Sequence, residues 1–184
     1  MFYISDNIIS RMSFNLRNEI LREHSKTQCL RIVKWIGNDQ LRFDRLFTLF
    51  LLEDYRIIQR SSWPISIAVG EHPHFIDKHW KKFVLNLHKD NLHNAVKRNS
   101  IRLLQDINIP EKYRGEIMTL CFNYLESPSE AIAVKVFSLT VLGNLAIIYP
   151  EIKPELKLVI ENLLPGQGAG FKSRAKKILK QIAV

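Results

Sequence analysis

Cysteine is nearly absent: the 184 residues hold two, Cys29 and Cys121, both on apolar helical stripes. Two distant thiols build neither a disulfide framework nor a cysteine-based zinc site, and the pair reads as buried free thiols. Glycine and proline are sparse, seven of each, and most mark breaks: Gly37, His72-Pro73, Ile109-Pro110, Ser127-Pro128, Tyr149-Pro150 and Pro165-Gly166. No stretch alternates apolar and polar residues as a half-buried strand does. Asp6 interrupts the apolar residues between Met1 and Arg11, and neither a basic start nor a small-residue cleavage site frames them, so no signal peptide and a cytoplasmic location are expected. Charged residues make up 24% of the chain, too many for a membrane protein. Acid is in deficit: 18 Asp and Glu against 27 Lys and Arg leave a formal +9, an excess that suits acidic partners.

What is present is a repeat. Ile57-x-x-Arg60-Ser61, Ala95-x-x-Arg98-Asn99, Ile132-x-x-Lys135-Val136 and Phe171-x-x-Arg174-Ala175 place a basic residue every 37 to 39 positions. A period of that length is the mark of a repeat architecture, and each copy opens a helical stretch followed, after a break, by a second. The second helices carry the cleaner stripes: Ile76, Trp80, Phe83, Val84, Leu87; Ile117, Leu120, Cys121, Tyr124; Ile152, Leu156, Val159, Ile160, Leu163. The stretch 130–148 is apolar nearly all round, as an element in the middle of a stack must be. Pro64 should bend the helix that contains it. Residues 12–53 read as degenerate helices near 13–23, 25–36 and 39–52, with Ser13 and Ser25 as N-caps. Residues 1–11 read as a frayed extension, and residues 54–184 as the repeats proper. The expectation is one all-α domain over residues 1–184, about five helix pairs stacked as a solenoid.

The early basic residue of each first helix, the proline bend and the Asp54-to-Arg60 spacing resemble the HEAT and armadillo-like repeat families over about 160 residues. The resemblance implies a right-handed α-α superhelix in which Asp54, Arg60, Arg98, Lys135 and Arg174 form a structural ladder between repeats. Leu92 and Ser129 stand where the ladder wants an aspartate, so the later copies depart from it. The stretches 59–63, 95–99 and 171–174 also look like those of small bacterial HEAT-like repeat proteins. An adenylosuccinate lyase activity does not follow from them, because that superfamily's Ser-Ser-x-Met-Pro-type loop and catalytic histidine context have no counterpart here.

No constellation carries chemistry. The segment 166–173 has glycines and Lys172, but Phe171 separates Gly170 from the lysine and no buried strand precedes it, so it reads as a flexible interhelix loop. Glu71, His72, His74, Asp77 and His79 crowd one turn at spacings that match no established metal site. Trp35, Trp63 and Trp80 fall on apolar faces as core anchors. No nucleophile stands beside a base, so neither enzyme activity nor a cofactor or metal is expected.

In HEAT solenoids the second helices line the ligand-bearing concave side. Charges there net +2 over 75–88 (Lys78, Lys81, Lys82 against Asp77), −1 over 111–126 and −1 over 151–161, so the presumed groove is close to neutral. The surplus lies on the N-terminal helices (Arg17, Arg22, Lys26, Arg31, Lys34), on Lys97, Arg98 and Arg102, and on the last helix at Lys172, Arg174, Lys176, Lys177 and Lys180, where it reads as the solvated face of a capping helix or as an anion contact. The leading expectation is a non-enzymatic module for a protein or peptide partner. The alternative is a nucleic-acid-binding solenoid related in shape to the HEAT-type DNA alkylation repair glycosylases. The candidate contacts are Lys78, Lys81 and Lys82 with the basic cluster of the last helix.

Overall fold

The computed structural model describes residues 14–52 and 54–183, and among them every regular element is helical. Ten α-helices follow in order: α1 (Leu16–Arg22), α2 (Lys26–Ile36), α3 (Gln40–Leu52), α4 (Tyr55–Glu71), α5 (Trp80–Leu87), α6 (Asn94–Leu104), α7 (Glu111–Glu126), α8 (Ile132–Ile148), α9 (Lys153–Leu163) and α10 (Ala169–Ile182). Short 3-10 segments at Pro73–His79, Pro150–Ile152 and Leu164–Gly166 fill the breaks, each with proline in its first turn, where a missing N–H costs nothing.

Local chemistry sets the ends. Ser25 caps α2 by accepting from Gln28 N–H at 3.0 Å, and Gly37 closes it at φ +52°, a conformation that favours glycine. Asn15 caps α1 in the same way; the other expected cap, Ser13, lies outside the described residues. Asp54 caps α4 through the N–H groups of Arg56 and Ile57. That helix runs on through the buried Pro64 to Glu71. The segment 166–173 is not the loop expected from its glycines: Ala169–Ser173 already belongs to α10, leaving only Gln167 and Gly168 between helical elements.

The helices form two layers. In the first, α2, α4, α6, α8 and α10 lie side by side; α3, the Pro73–Leu87 segment, α7 and α9 form the second, with α3 packed on α4, the Pro73–His79 segment on α4 and α7 on α8. One apolar cluster runs through the whole stack, from Leu16 and Phe43 through Trp80, Ile117 and Leu142 to Phe171 and Ile182. Both thiols are buried, Cys121 within that cluster, and burial pushes each up to about 12, against the smaller opposing pull of Arg102 on Cys29 and of Ser138 on Cys121.

Polar bonds join neighbouring repeats, three of the four at 37 to 39 residues and the fourth at 34. Asn99 donates to Ser62 Oγ at 2.9 Å, Arg174 to Thr140 Oγ1 at 2.7 Å, Asn144 to the Gln105 carbonyl at 3.0 Å and Tyr124 to the Leu87 carbonyl at 3.4 Å. Ser61, Ser100, Ser138 and Ala175 take equivalent buried places along the first layer. Ser61 Oγ has no partner there. The fourth repeat dispenses with that hydroxyl, so Ser61→Ala should stabilise the fold by about 1 kcal/mol, read as a higher urea midpoint at unchanged slope.

Candidate interaction surface

The outward side of the second layer is assembled from residues opposite each helix's buried stripe. On α3 these are Leu41, Arg45 and Leu52; around α5, Lys78, Lys81, Lys82 and Leu85; on α7, Thr119, Phe122 and Glu126; on α9, Leu158 and Glu161. Leu41, Leu52, Leu85 and Leu158 are large apolar side chains left 71%, 78%, 57% and 59% exposed. Leu85, the half-buried Phe122 and Leu158 follow one another at 37 and 36 residues, so one apolar line crosses three consecutive second helices. Apolar side chains therefore recur at the repeat period on this side of the stack, with Leu85 and Leu158 exposed and Phe122 packed partly on the core.

Charge flanks this line in an order that the near-zero sum conceals. The net is +1 on α3 (Arg42, Arg45, Asp44), +2 over 73–87, −1 on α7 and −1 over 151–163. The sign changes between α5 and α7, where His88 Nε2 lies 2.8 Å from Glu116 Oε1. Among the described residues Arg45, Lys81 and Lys82 have no hydrogen-bond or ion-pair partner, so the basic end is available to a ligand.

Lys78 is engaged differently. It bonds Asp44 Oδ2 at 2.6 Å while His79 Nε2 meets Asp44 Oδ1 at 2.7 Å and Gln40 donates to the same oxygen at 2.9 Å. His79 is also stacked on Phe47 at 4.2 Å. The histidine-rich turn is thus structural: His79 ties α3 to the 3-10 segment, and His72 and His74 pack on Phe75. No group of three or more His, Cys, Asp or Glu among the described residues is placed to hold a metal ion. Partial burial raises the Asp44 carboxyl, but the bonds from Lys78, Gln40 and His79 outweigh it and hold the group below its ordinary value. Its stabilising share is therefore complete above the unfolded carboxylate range and lost as pH falls through the depressed folded value. Asp44→Asn should lower the urea midpoint at neutral pH, and the gap to the unaltered protein should close at acid pH.

The remaining sequence-predicted residues scatter. Asp54 caps α4 and pairs with Arg17 at 3.2 Å, while Arg60 donates to the Ile20 and Leu21 carbonyls at the end of α1. Arg98 is exposed, Lys135 is buried, and Arg174 bonds Thr140. On α10, Lys172, Lys176, Lys177 and Lys180 are exposed on the face opposite Phe171, Ala175, Ile178 and Ile182, the outward side of an end helix. They belong to the first layer, and α6 and α8 intervene between α10 and the α4–α5 pair, so the two lysine sets form no common patch. Trp80 is buried, edge-on to Phe83 at 6.0 Å and near-parallel to Tyr113 at 5.9 Å; Trp35 is half-buried, stacked on Phe14 at 4.5 Å, with the Arg42 guanidinium over its ring at 5.3 Å. Trp63 is half-buried near His24.

Sequence reasoning missed Asp44, Phe122 and the Lys97–Glu130 pair, in which a lysine 23% exposed meets a carboxylate 4% exposed at 2.8 Å. Lys78 reaches Asp44 from 34 residues away and Glu130 meets Lys97 from 33, distances at which only the repeat phase carries a signal.

No helix among the described residues is long and apolar enough to cross a membrane. Comparison with curated proteins and with solved structures yields no match. The family described as HEAT repeat domain matches residues 16–182, nearly the whole described chain. With the consecutive helices α2 to α10 among the described residues packed in two layers, the chain belongs to the HEAT repeat family.

Proposed function

We propose that this protein is a non-enzymatic scaffold that docks a segment of a protein partner along its second-helix face. HEAT repeats generally serve as protein-interaction scaffolds, and the observation that carries the reading here is the apolar line Leu85–Phe122–Leu158 with its ordered charge. Apolar anchors supply affinity, and opposite charge at the two ends of the face fixes the direction in which a segment lies. The partner segment is acidic where it crosses α3 and α5 and basic where it crosses α7 and α9. A polyanion suits this face poorly, because Glu116, Glu126, Glu155 and Glu161 would repel its phosphates.

The second reading, nucleic-acid binding, draws its support from the lysines of α10. Fluorescence anisotropy separates the two readings. Labelled duplex DNA, single-stranded DNA and RNA are titrated with the full chain at near-physiological salt and at several-fold higher salt. The scaffold reading expects no salt-sensitive binding at micromolar protein. Micromolar affinity with a steep salt slope, lost on neutralising Lys172, Arg174, Lys176 and Lys177, would establish the nucleic-acid reading instead.

A further inference from the structure

The excess of positive charge is confined to three neighbouring helices of the first layer. Between them α6, α8 and α10 hold nine basic residues and no acidic one. Taking these nine from the 27 of the chain leaves 18 bases against 18 acids, so the whole formal +9 belongs to this part of the stack. Lys97 is taken up by Glu130 and Lys135 is buried, which leaves seven of the nine exposed or half-buried. Asp106, Glu130 and Glu151, the acids next to α6 and α8 in sequence, sit in the connections beyond the helix ends.

The outward sides of the three helices form one surface. Val136, Thr140, Asn144 and Ile147 make the stripe of α8 opposite the buried Ser138, Leu142 and Leu145. Asn144 donates to the Gln105 carbonyl at the end of α6, and Arg174 of α10 donates to Thr140 Oγ1, so this stripe is the middle of the face. On α6, Arg98 and Arg102 lie opposite the buried Val96, Ser100 and Leu103; on α10, Lys177 lies opposite the buried Phe171, Ala175 and Ile182. Among the described residues the side chains of Arg98, Arg102 and Lys177 have no hydrogen-bond or ion-pair partner. Along α8 the face is apolar, with Ile132, Ile147 and Ile148 left 50%, 62% and 49% exposed and Val136 and Phe137 half-buried. A basic row thus flanks an apolar row on either side, with no acid among them.

We propose that the outward face of α6, α8 and α10 seats the protein on the surface of a bilayer rich in anionic phospholipid. Arg98, Arg102 and Lys177 meet the headgroup phosphates, and Ile147 and Ile148 reach below them, so the protein lies on the bilayer without crossing it. A discrete acidic peptide would need bases only where it lies, whereas an extended anionic surface selects against acid over the whole of three helices. A polynucleotide is extended too, but it would set phosphates against the apolar row of α8, and this row offers one aromatic ring, the half-buried Phe137, for bases to stack on. The surface is independent of the second-helix face. It lies on the other side of the two-layer stack and leaves that face turned away from the bilayer.

The full chain is floated with vesicles of phosphatidylcholine alone and of phosphatidylcholine with about 30 mol% phosphatidylserine. Binding to the anionic vesicles alone, weakening as salt rises, is expected. Arg98→Gln combined with Lys177→Gln should weaken it about thirtyfold, while the equal charge change on second-layer helices, Lys112→Gln with Lys153→Gln, should alter it less than about threefold. An environment-sensitive dye on Ile147→Cys should shift to the blue on anionic vesicles, and the same dye on Leu85→Cys should not. Absence of binding, equal loss in both pairs of substitutions, or a dye at 147 that stays in water overturns the proposal. Salt-sensitive binding to DNA or RNA without vesicle binding, lost with Arg98 and Lys177, overturns it in favour of nucleic acid.

Discussion

Replacing Phe43 by alanine should destabilise the protein by about 3–5 kcal/mol, the usual cost of emptying a buried aromatic site. Phe43 is 0% exposed, with its ring 4.9 Å from that of Phe75 and 6.0 Å from that of Phe47. These walls are aromatic rings held by their own helices, and His79, the ring 5.8 Å away, is itself fixed by Asp44. The cavity consequently collapses little, and the loss includes the van der Waals contacts as well as the transfer term. The melting temperature followed by circular dichroism should fall by on the order of 10 °C for a chain of this size. Because this cluster and the Asp44 bonds tie α3 to the Pro73–His79 segment, the transition should also lose cooperativity at the N-terminal side. A loss under about 1 kcal/mol would mean that the junction of α3 with the Pro73–His79 segment is not the packed interface described.

Phe171→Ala should act as strongly but in one place. Phe171 is the largest of the four buried side chains of α10, beside Ala175, Ile178 and Ile182, and the helix packs chiefly on α8 and only lightly on α9. Within a stack, stability is the sum of each unit and its neighbour contacts, so a helix with one strong neighbour unfolds ahead of the rest. Losing about 3–5 kcal/mol there should speed hydrogen exchange over 169–182 by on the order of a hundredfold or more while α3 and α4 keep their protection. Equal acceleration throughout the chain would contradict a stack coupled by nearest neighbours. The contact between Gly143 and Ile178, where an added Cβ would meet Cδ1 at 2.8 Å, shows how closely α10 approaches α8.

These two experiments probe a fold that was largely legible in the amino-acid order. The stripes of the second helices, the all-round apolar α8 and the breaks at proline and glycine depend on near neighbours in sequence, and each reappears where expected. Ladder register did not come through in the same way. Aligning the basic residues puts Arg98 beside Lys135, whereas the buried serines put Lys97 there; Arg98 is exposed, and charge on a solvated surface is under no packing constraint to keep phase. Summing charge over the second helices gave neutrality because addition discards order, and order along the stack is what a bound segment encounters. The Asp44 cluster was invisible for another reason: Gln40 shares its helix, but Lys78 and His79 come from 34 and 35 residues on.

The central claim is that a protein partner docks on the second-helix face. A photo-crosslinking amino acid is placed singly at Leu85 and Leu158, and as controls at Arg56 and Lys176 on first-layer helices, in the full chain in its source cell. The account predicts the same protein adduct from Leu85 and Leu158 and none from Arg56 or Lys176; adducts from the control positions alone, or adducts to nucleic acid, would contradict it.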